Sequence, residues 1–389
     1  MRVPIFHGLS PLDVLRPSHG QSMFPFEARD VRYFYRARNA IYHLFLALVA
    51  RHRRVAVLVP DYNSGNEVLA MRAAGASIVY CPVDRGMRMN PDDVERLCDV
   101  HRPDVLYVIH YAGWPQPIST LVDLCRRREM LLVEDCALSL LSETVGRPLG
   151  SFGDWSIFCL YKTLPVPNGA VLVQNTDREE PLPDVRLRPA GAPSTVGRVL
   201  ELLVQRVRVR YGSTGDGLSM LKRGAGRLAS AANVDRANVG DIGFDLGQVD
   251  LAISDLSLRL IDRVDLQRVR QRRIANYQTL STQLGCRVSR PLPEPAAGVC
   301  PLFFPILVPN KRAVVDGLAR RGVEALEFWN DSVEPGGKEM AATARFLREH
   351  VLELPLHQDL TERHMTYMAE CLIRLNVRMP HAGDRILAA

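Results

Sequence analysis

Two groups in this chain are of a type and spacing that could work together. One is the carboxylate of Asp135, which ends the run Met130-Leu-Leu-Val-Glu-Asp135; the other is the amine of Lys162, 27 positions later (162 − 135). Lys162 follows a second apolar run, Trp155 to Leu160. Such runs read as buried strands, and in an open parallel sheet their carboxyl ends meet at the edge where ligands bind. From these residues alone, a buried ion pair and a functional site are both open. A lysine between a buried strand and the turn Pro165-Val-Pro-Asn-Gly169 is poorly placed for solvation, which favours a reactive amine.

The elements that must position this pair alternate between strand and helix. Val55 to Val59, Ser77 to Tyr80 and Val105 to His110 read as strands, separated by helices ending near Ala74 and Val100. A further helix, capped by Ser119, leads into the run that ends at Asp135. Asn39 is expected to cap a helix with the stripe Ile41, Leu44, Phe45, Leu48 and Val49. The turn Tyr35-Arg-Ala-Arg38 before it is then either an anion seat or an ordinary helix start with solvated arginines. The fold class is α/β: a mostly parallel central sheet flanked by helices, with a smaller α+β C-terminal domain. We divide the chain into an arm (1–35), a large α/β domain (36–250) with a basic insertion (176–236), and a linking helix plus small domain (251–389). The linking helix is expected over Leu246 to Leu284, and the small domain has strands at Cys300 to Val308 and Val351 to Leu354.

Composition excludes several classes. Eight cysteines with no C-x-x-C pair argue for reduced thiols in a cytoplasmic protein, and the apolar run Ile41 to Ala50 is too short to span a bilayer. Residues 186–236 carry ten Lys/Arg against three acids, 10 − 3 = +7, while the whole chain carries +6, so generic nucleic-acid binding is not expected. Within that stretch Val196, Leu200, Leu203, Val204, Val207 and Tyr211 share a helical face. We expect that face to pack on its own domain, with contact of 195–211 with a membrane surface as the alternative. No dinucleotide, triphosphate or nucleophile-elbow motif is present. The histidines at 101, 110, 357 and 364 lack ligand spacing, so no metal site is expected. His110 and Tyr111 at the sheet edge, and His357 in a later turn, are substrate-side candidates.

The ordered segments Pro60-Asp-Tyr, His110-Tyr-Ala-Gly-Trp-Pro-Gln-Pro117, Val133-Glu-Asp-Cys-Ala137, Gly150-Ser-Phe-Gly-Asp154, Lys162-Thr-Leu-Pro-Val-Pro-Asn-Gly169, Phe304-Pro-Ile-Leu-Val-Pro309 and Leu354-Pro-Leu-His357 carry a resemblance. From about residue 30 to 375, outside the basic stretch, the chain resembles the DegT/StrS-type, sugar-aminotransferase-like family of pyridoxal-phosphate (PLP) enzymes with the aspartate-aminotransferase fold (fold type I). The resemblance implies that Lys162 forms the aldimine with PLP and that Asp135 holds the pyridine nitrogen protonated. It places Arg38, Asn39 and Ala40 at the phosphate turn, and Tyr62 or Asn63 nearest the ring cover. Leu138 stands where the family keeps a glutamine or histidine, Cys159 where it keeps a serine, and the asparagine and arginine common near Gly243-Phe-Asp245 are absent. The implied activity moves an amino group from an amino acid, glutamate foremost, to a keto group of a sugar or natural-product precursor in a homodimer. The alternatives are another PLP reaction on a lipid-linked or specialised substrate, and a non-catalytic scaffold.

Overall fold

The computed structural model describes residues 1–18, 20, 23–178, 184–212, 243–330 and 341–379. The large sheet contains β1 (Asp30–Phe34), β2 (Ala56–Pro60), β3 (Ser77–Cys81), β4 (Val105–Ile109), β5 (Leu131–Asp135), β8 (Trp155–Cys159) and β9 (Ala170–Gln174). Two-residue strands Glu143–Thr144 (β6) and Arg147–Pro148 (β7) form a separate hairpin. The sheet order is β1-β9-β8-β5-β4-β2-β3. Only β9 runs against the rest, pairing antiparallel with both β8 and β1. The expected mostly parallel sheet is therefore borne out. Strands β4, β5, β8 and β9 are buried throughout, which is why they read as apolar runs rather than alternating ones. Asp30–Phe34, within the stretch read as the arm, is an edge strand of this sheet.

Helices α1 (Pro11–Leu15), α2 (Ala37–His52), α3 (Asn66–Ala73), α4 (Pro91–His101) and α5 (Ile118–Arg127) precede β5. Two starts differ from expectation. Arg36, not Asn39, is the N-cap of α2, and Asn39 instead donates its amide to Gln248 O at 2.8 Å. Pro117, not Ser119, precedes α5. The stretch expected as one linking helix is broken into a 3₁₀ turn at Leu246–Gln248, α7 (Asp255–Ile261) and α8 (Leu266–Leu284). Ser254 and Asp265 cap the two helices by accepting from Ser257 N and Arg268 N.

The small domain is an antiparallel sheet in the order β10 (Phe303–Leu307), β12 (Val351–Pro355), β11 (Leu326–Glu327), packed with α9 (Lys311–Ala319), α10 (Ala342–His350) and α11 (Glu362–Leu375). It meets the large domain tightly at Gly113, whose φ is +107° and where an added Cβ would lie 2.3 Å from Cys300 O. Gly113→Ala should therefore combine backbone strain with a clash against fixed backbone, costing about 3 kcal/mol and lowering the urea unfolding midpoint.

α6 (Ala192–Tyr211) leaves part of the face expected to pack exposed, while Leu203, Val204 and Val207 of that face are half-buried. Val196, Leu200 and Tyr211 are 55%, 49% and 61% exposed, while Leu202 is buried. Two of its arginines reach partners distant in sequence, Arg206 pairing with Asp359 and Arg208 with Glu324 at 2.5 Å, while Arg210 is exposed. Among the described residues no helix is long and apolar enough to cross a membrane.

Candidate active site

The carboxyl ends of β4, β5 and β8 lie side by side, with Ile109 opposite Asp135 and Asp135 opposite Ile157 in register. Beyond β8 the chain makes a 3₁₀ turn over Leu160–Lys162. Leu160 N donates to Gly169 O at 3.0 Å, and Leu164 N donates back to Leu160 O at 2.8 Å, which holds the lysine at the sheet edge. Asp135 and Lys162 line one cavity of about 780 Å³. Lys162 is half-buried rather than fully desolvated.

Asp135 is 7% exposed. Its Oδ2 accepts from Tyr107 Oη at 2.7 Å and its Oδ1 from Ala137 N at 2.8 Å. Burial, then the charge of Glu67, push its carboxyl up to about 6, against the opposing influence of those hydrogen bonds and of Lys162. Glu67 reaches the same cavity from the first turn of α3, where it accepts from Ser64 N at 2.8 Å and Ser64 Oγ at 2.5 Å. Two carboxylates beside one amine make this end of the cavity a seat for a positively charged N–H.

The first turn of α2 faces the cavity with Ala37 and Arg38. Its leading N–H groups have no partner within the helix and carry the positive end of the helix dipole, which suits an anion. Arg38 is fastened to Gly243 O. Asn39 and Ala40 are buried behind this turn and do not line the cavity, so the turn that meets a ligand is Ala37-Arg38.

Of the other sequence-predicted residues, Leu138, Cys159 and His357 line the cavity. Burial pushes the Cys159 thiol up, so it meets a ligand as a neutral group. Tyr62, Asn63, His110 and Tyr111 do not line it. Tyr62 is fully buried behind Trp329, with ring centroids 5.2 Å apart, and Phe328 and Trp329 of the small domain supply the aromatic wall instead. Asn63 braces its own loop through Pro60 O and Gly65 N. Tyr111 donates to Tyr62 O at 2.5 Å. His110 converges with Glu134 and Cys136, its Nε2 3.0 Å from Glu134 Oε2 and its Nδ1 accepting from Gln116 N. Glu134 also accepts from Gly150, Phe152 and Gly153 N–H, so this trio is a buried brace on the face opposite Asp135.

The remaining walls come from residues that sequence reasoning passed over. The arm runs between α6 and the small domain, tied by Val3 N to Gly322 O (2.9 Å) and Gly8 N to Asp359 Oδ2 (2.7 Å), and it carries Ile5, Phe6 and His7 into the cavity. α6 adds Arg198 and Glu201, α8 adds Arg273, and the small domain adds Glu353. Glu353 had a visible signal, a lone charge in the apolar strand Val-Leu-Glu-Leu-Pro. Arg273 had none, standing among the basic residues of α8.

Residues 37–181 match the model of the DegT/DnrJ/EryC1/StrS aminotransferase family. Over that span the chain is similar to the members of this family. A dTDP-4-dehydro-2,3,6-trideoxy-D-glucose 4-aminotransferase of Saccharopolyspora spinosa is 33% identical over 119 residues, 30% of each chain. A GDP-perosamine synthase of Escherichia coli O157:H7 is 28% identical over 154 residues, 38% of this chain and 42% of that one. The chain thus matches less than half the length of these curated relatives. The likeness to solved structures is broader: Spr1654 of Streptococcus pneumoniae, solved in PLP and PMP forms, superposes with a TM-score of 0.66 at 14% identity, and its PLP form is matched over 97% of this chain and 99% of that one. That likeness shows a shared fold that reaches beyond residue 181.

Proposed function

We propose that the chain is a PLP-dependent aminotransferase that moves an amino group from an amino acid, glutamate foremost, to a keto group of a sugar or related precursor. The observation that carries this reading is the convergence of Asp135, Lys162 and the first turn of α2 on one cavity. The donor set fits the cofactor. A carboxylate that burial and Glu67 hold at about 6 is relieved by a cationic ring N–H, and the helix start suits a phosphate. When bound, PLP supplies the electron sink for amino transfer.

The chain's own residues would do the rest. Asp135, oriented by Tyr107 and Ala137 N–H, would hold a proton on the ring nitrogen. Ala37 and Arg38 would hold the phosphate, and Leu138 and Cys159 would present uncharged surface to the ring. Lys162 Nζ would bond the cofactor and carry the proton moved during transfer. Phe328 and Trp329 would exclude water from the small-domain side.

The test is the visible spectrum of the purified protein with and without glutamate. The reading expects PLP absorbance that shifts when glutamate is added; a colourless protein that takes up no added PLP would leave the non-catalytic reading in its place. We carry the homodimer as part of this proposal, to be measured by light scattering.

A further inference from the structure

The cavity wall built by α6, α8 and the small domain holds polar groups that the proposed cofactor seat leaves unused. On the small-domain side Glu353 sits on β12, the central strand of its sheet, and its carboxylate has no hydrogen bond or ion pair among the described residues. His357 lies just beyond that strand; its Nε2 donates to Pro4 O at 3.0 Å, which leaves Nδ1 as a buried acceptor without a partner. On the helix side are two guanidinium groups. Arg273 spends its terminal nitrogens on the neutral carbonyls of Leu302 (2.7 Å) and Thr163 (3.4 Å), its Nε–H is buried without a partner, and no carboxylate among the described residues pairs with it. Arg198 pairs through Nη1 with Glu201 at 2.9 Å and also keeps a buried, unused Nε–H. All four line the same cavity as Lys162.

We propose that this wall takes a zwitterionic end of the acceptor, with an ammonium against Glu353 and His357 and a carboxylate against Arg273 and Arg198. Buried polar atoms need partners, and buried charge needs charge of the opposite sign. The acceptor atoms come from the small domain and the donors from the two helices, so one ligand group does not serve both. An anion alone would satisfy the guanidinium groups and set acceptor against acceptor at Glu353 and His357; an ammonium alone would do the reverse. A ligand with an ammonium beside a carboxylate meets each side with its complement, through charge-assisted bonds that are among the strongest a protein makes. Glu353 and Arg273 act on each other as charges without forming an ion pair, so each keeps its charge for a ligand. Burial pushes the Glu353 carboxyl up to about 7 against the opposing charges of Lys162 and Arg273, and a bound ammonium would add to that opposition. Burial also lowers His357 to about 3, so its ring is neutral and Nδ1 is free to accept.

This inference deepens the proposed function: the precursor that receives the amine would already carry an amino and a carboxyl group, remote from the carbonyl that reacts at Lys162. It rests on that reading for the reaction but not for binding. The test is calorimetric titration of the purified protein with L-lysine, ε-aminocaproate and cadaverine. All three share one terminal amine; at the other end lysine has an ammonium and a carboxylate, ε-aminocaproate the carboxylate alone, and cadaverine the ammonium alone. Lysine should bind about tenfold more tightly than either analogue, the amount carried by one charge-assisted hydrogen bond. Glu353→Gln should bring the preference over ε-aminocaproate down to about one and leave the preference over cadaverine in place; Glu353→Ala should do the same if the glutamine variant does not fold. Arg273→Gln, or Arg198→Gln where the first does not fold, should instead narrow the preference over cadaverine. An analogue that binds as tightly as lysine, preferences unmoved in the folded variants, or no binding of any probe in the millimolar range would each overturn the proposal. A protein that lacks PLP but orders the probes as stated loses the aminotransferase reading and keeps the zwitterion site; one that transaminates but binds the probes out of order does the reverse.

Discussion

Replacing Lys162 with alanine should abolish amino transfer, by roughly 10³-fold or more, while leaving the fold and the melting temperature close to those of the parent. The second half follows from position. Lys162 is half-buried at a cavity wall, in a turn closed by backbone bonds among Leu160, Leu164 and Gly169, none of which needs its side chain. The first half follows from the lack of a substitute, because no other lysine among the described residues lines the cavity. Lys162→Arg keeps the charge but cannot replace the nucleophilic amine, so it should be equally inactive. Borohydride should bleach the cofactor band of the parent and lock PLP to the chain, and neither variant should retain label. Asp135→Asn keeps the shape and loses the charge; it should retain the fold and lose about 10²-fold of activity. Label recovered on another lysine would remove Lys162 from its proposed role.

The pair that supports this result was legible because fully buried strands leave uninterrupted apolar runs, and each run ended on the group that matters. Other parts were hidden for physical reasons. Asn39 carried the better cap side chain, yet the helix starts at Arg36 because the Asn39 amide is used across the structure by Gln248 O. The packing of α6 could not be read from period, since Arg206 and Arg208 are received by Asp359 and Glu324, which lie more than a hundred residues along the chain. With Arg198 and Glu201 lining the cavity, part of the stretch read as a basic insertion is a wall of the site. The break at Ser254 and Asp265 was marked by two good cap residues inside an otherwise helical pattern, and those were the signals to weigh. Tyr62 and Tyr111 stood at the right sheet edge, but strand ends do not reveal that Phe328 and Trp329 would come from the small domain to stand in front of them.

The cavity should also leave a signature in the pH dependence of stability, in which two groups of residues pull in opposite directions. Burial holds His7 and His357 at about 3, below the 6.5 of an unfolded histidine; the folded state therefore binds fewer protons than the unfolded state between those values, and each ring costs stability as pH falls through that window. His7 faces Arg273, His357 and Asp359, and His357 faces Arg273, His364 and Arg206, so the surrounding charge is mostly positive and reinforces the sign. Asp135 and Asp61, pushed up to about 6 from 3.8, do the reverse: the folded state holds their protons first, and their burial costs progressively less as pH falls from 6 toward 4. Glu353, pushed up to about 7 from 4.5, acts with these two carboxyls, so the parent's slope between pH 6 and 4 is the small difference between the two sets. The variants should separate them. His357→Gln removes a group that loses stability with acid, so its stability relative to the parent should rise by about 1.4 kcal/mol for each pH unit lowered across this window. Asp135→Asn should fall relative to the parent by a similar slope across the same window, because it removes a group that gains. Urea unfolding at a series of pH values checks both, and parallel curves for the two variants would show that neither group is held in the folded protein as the geometry requires.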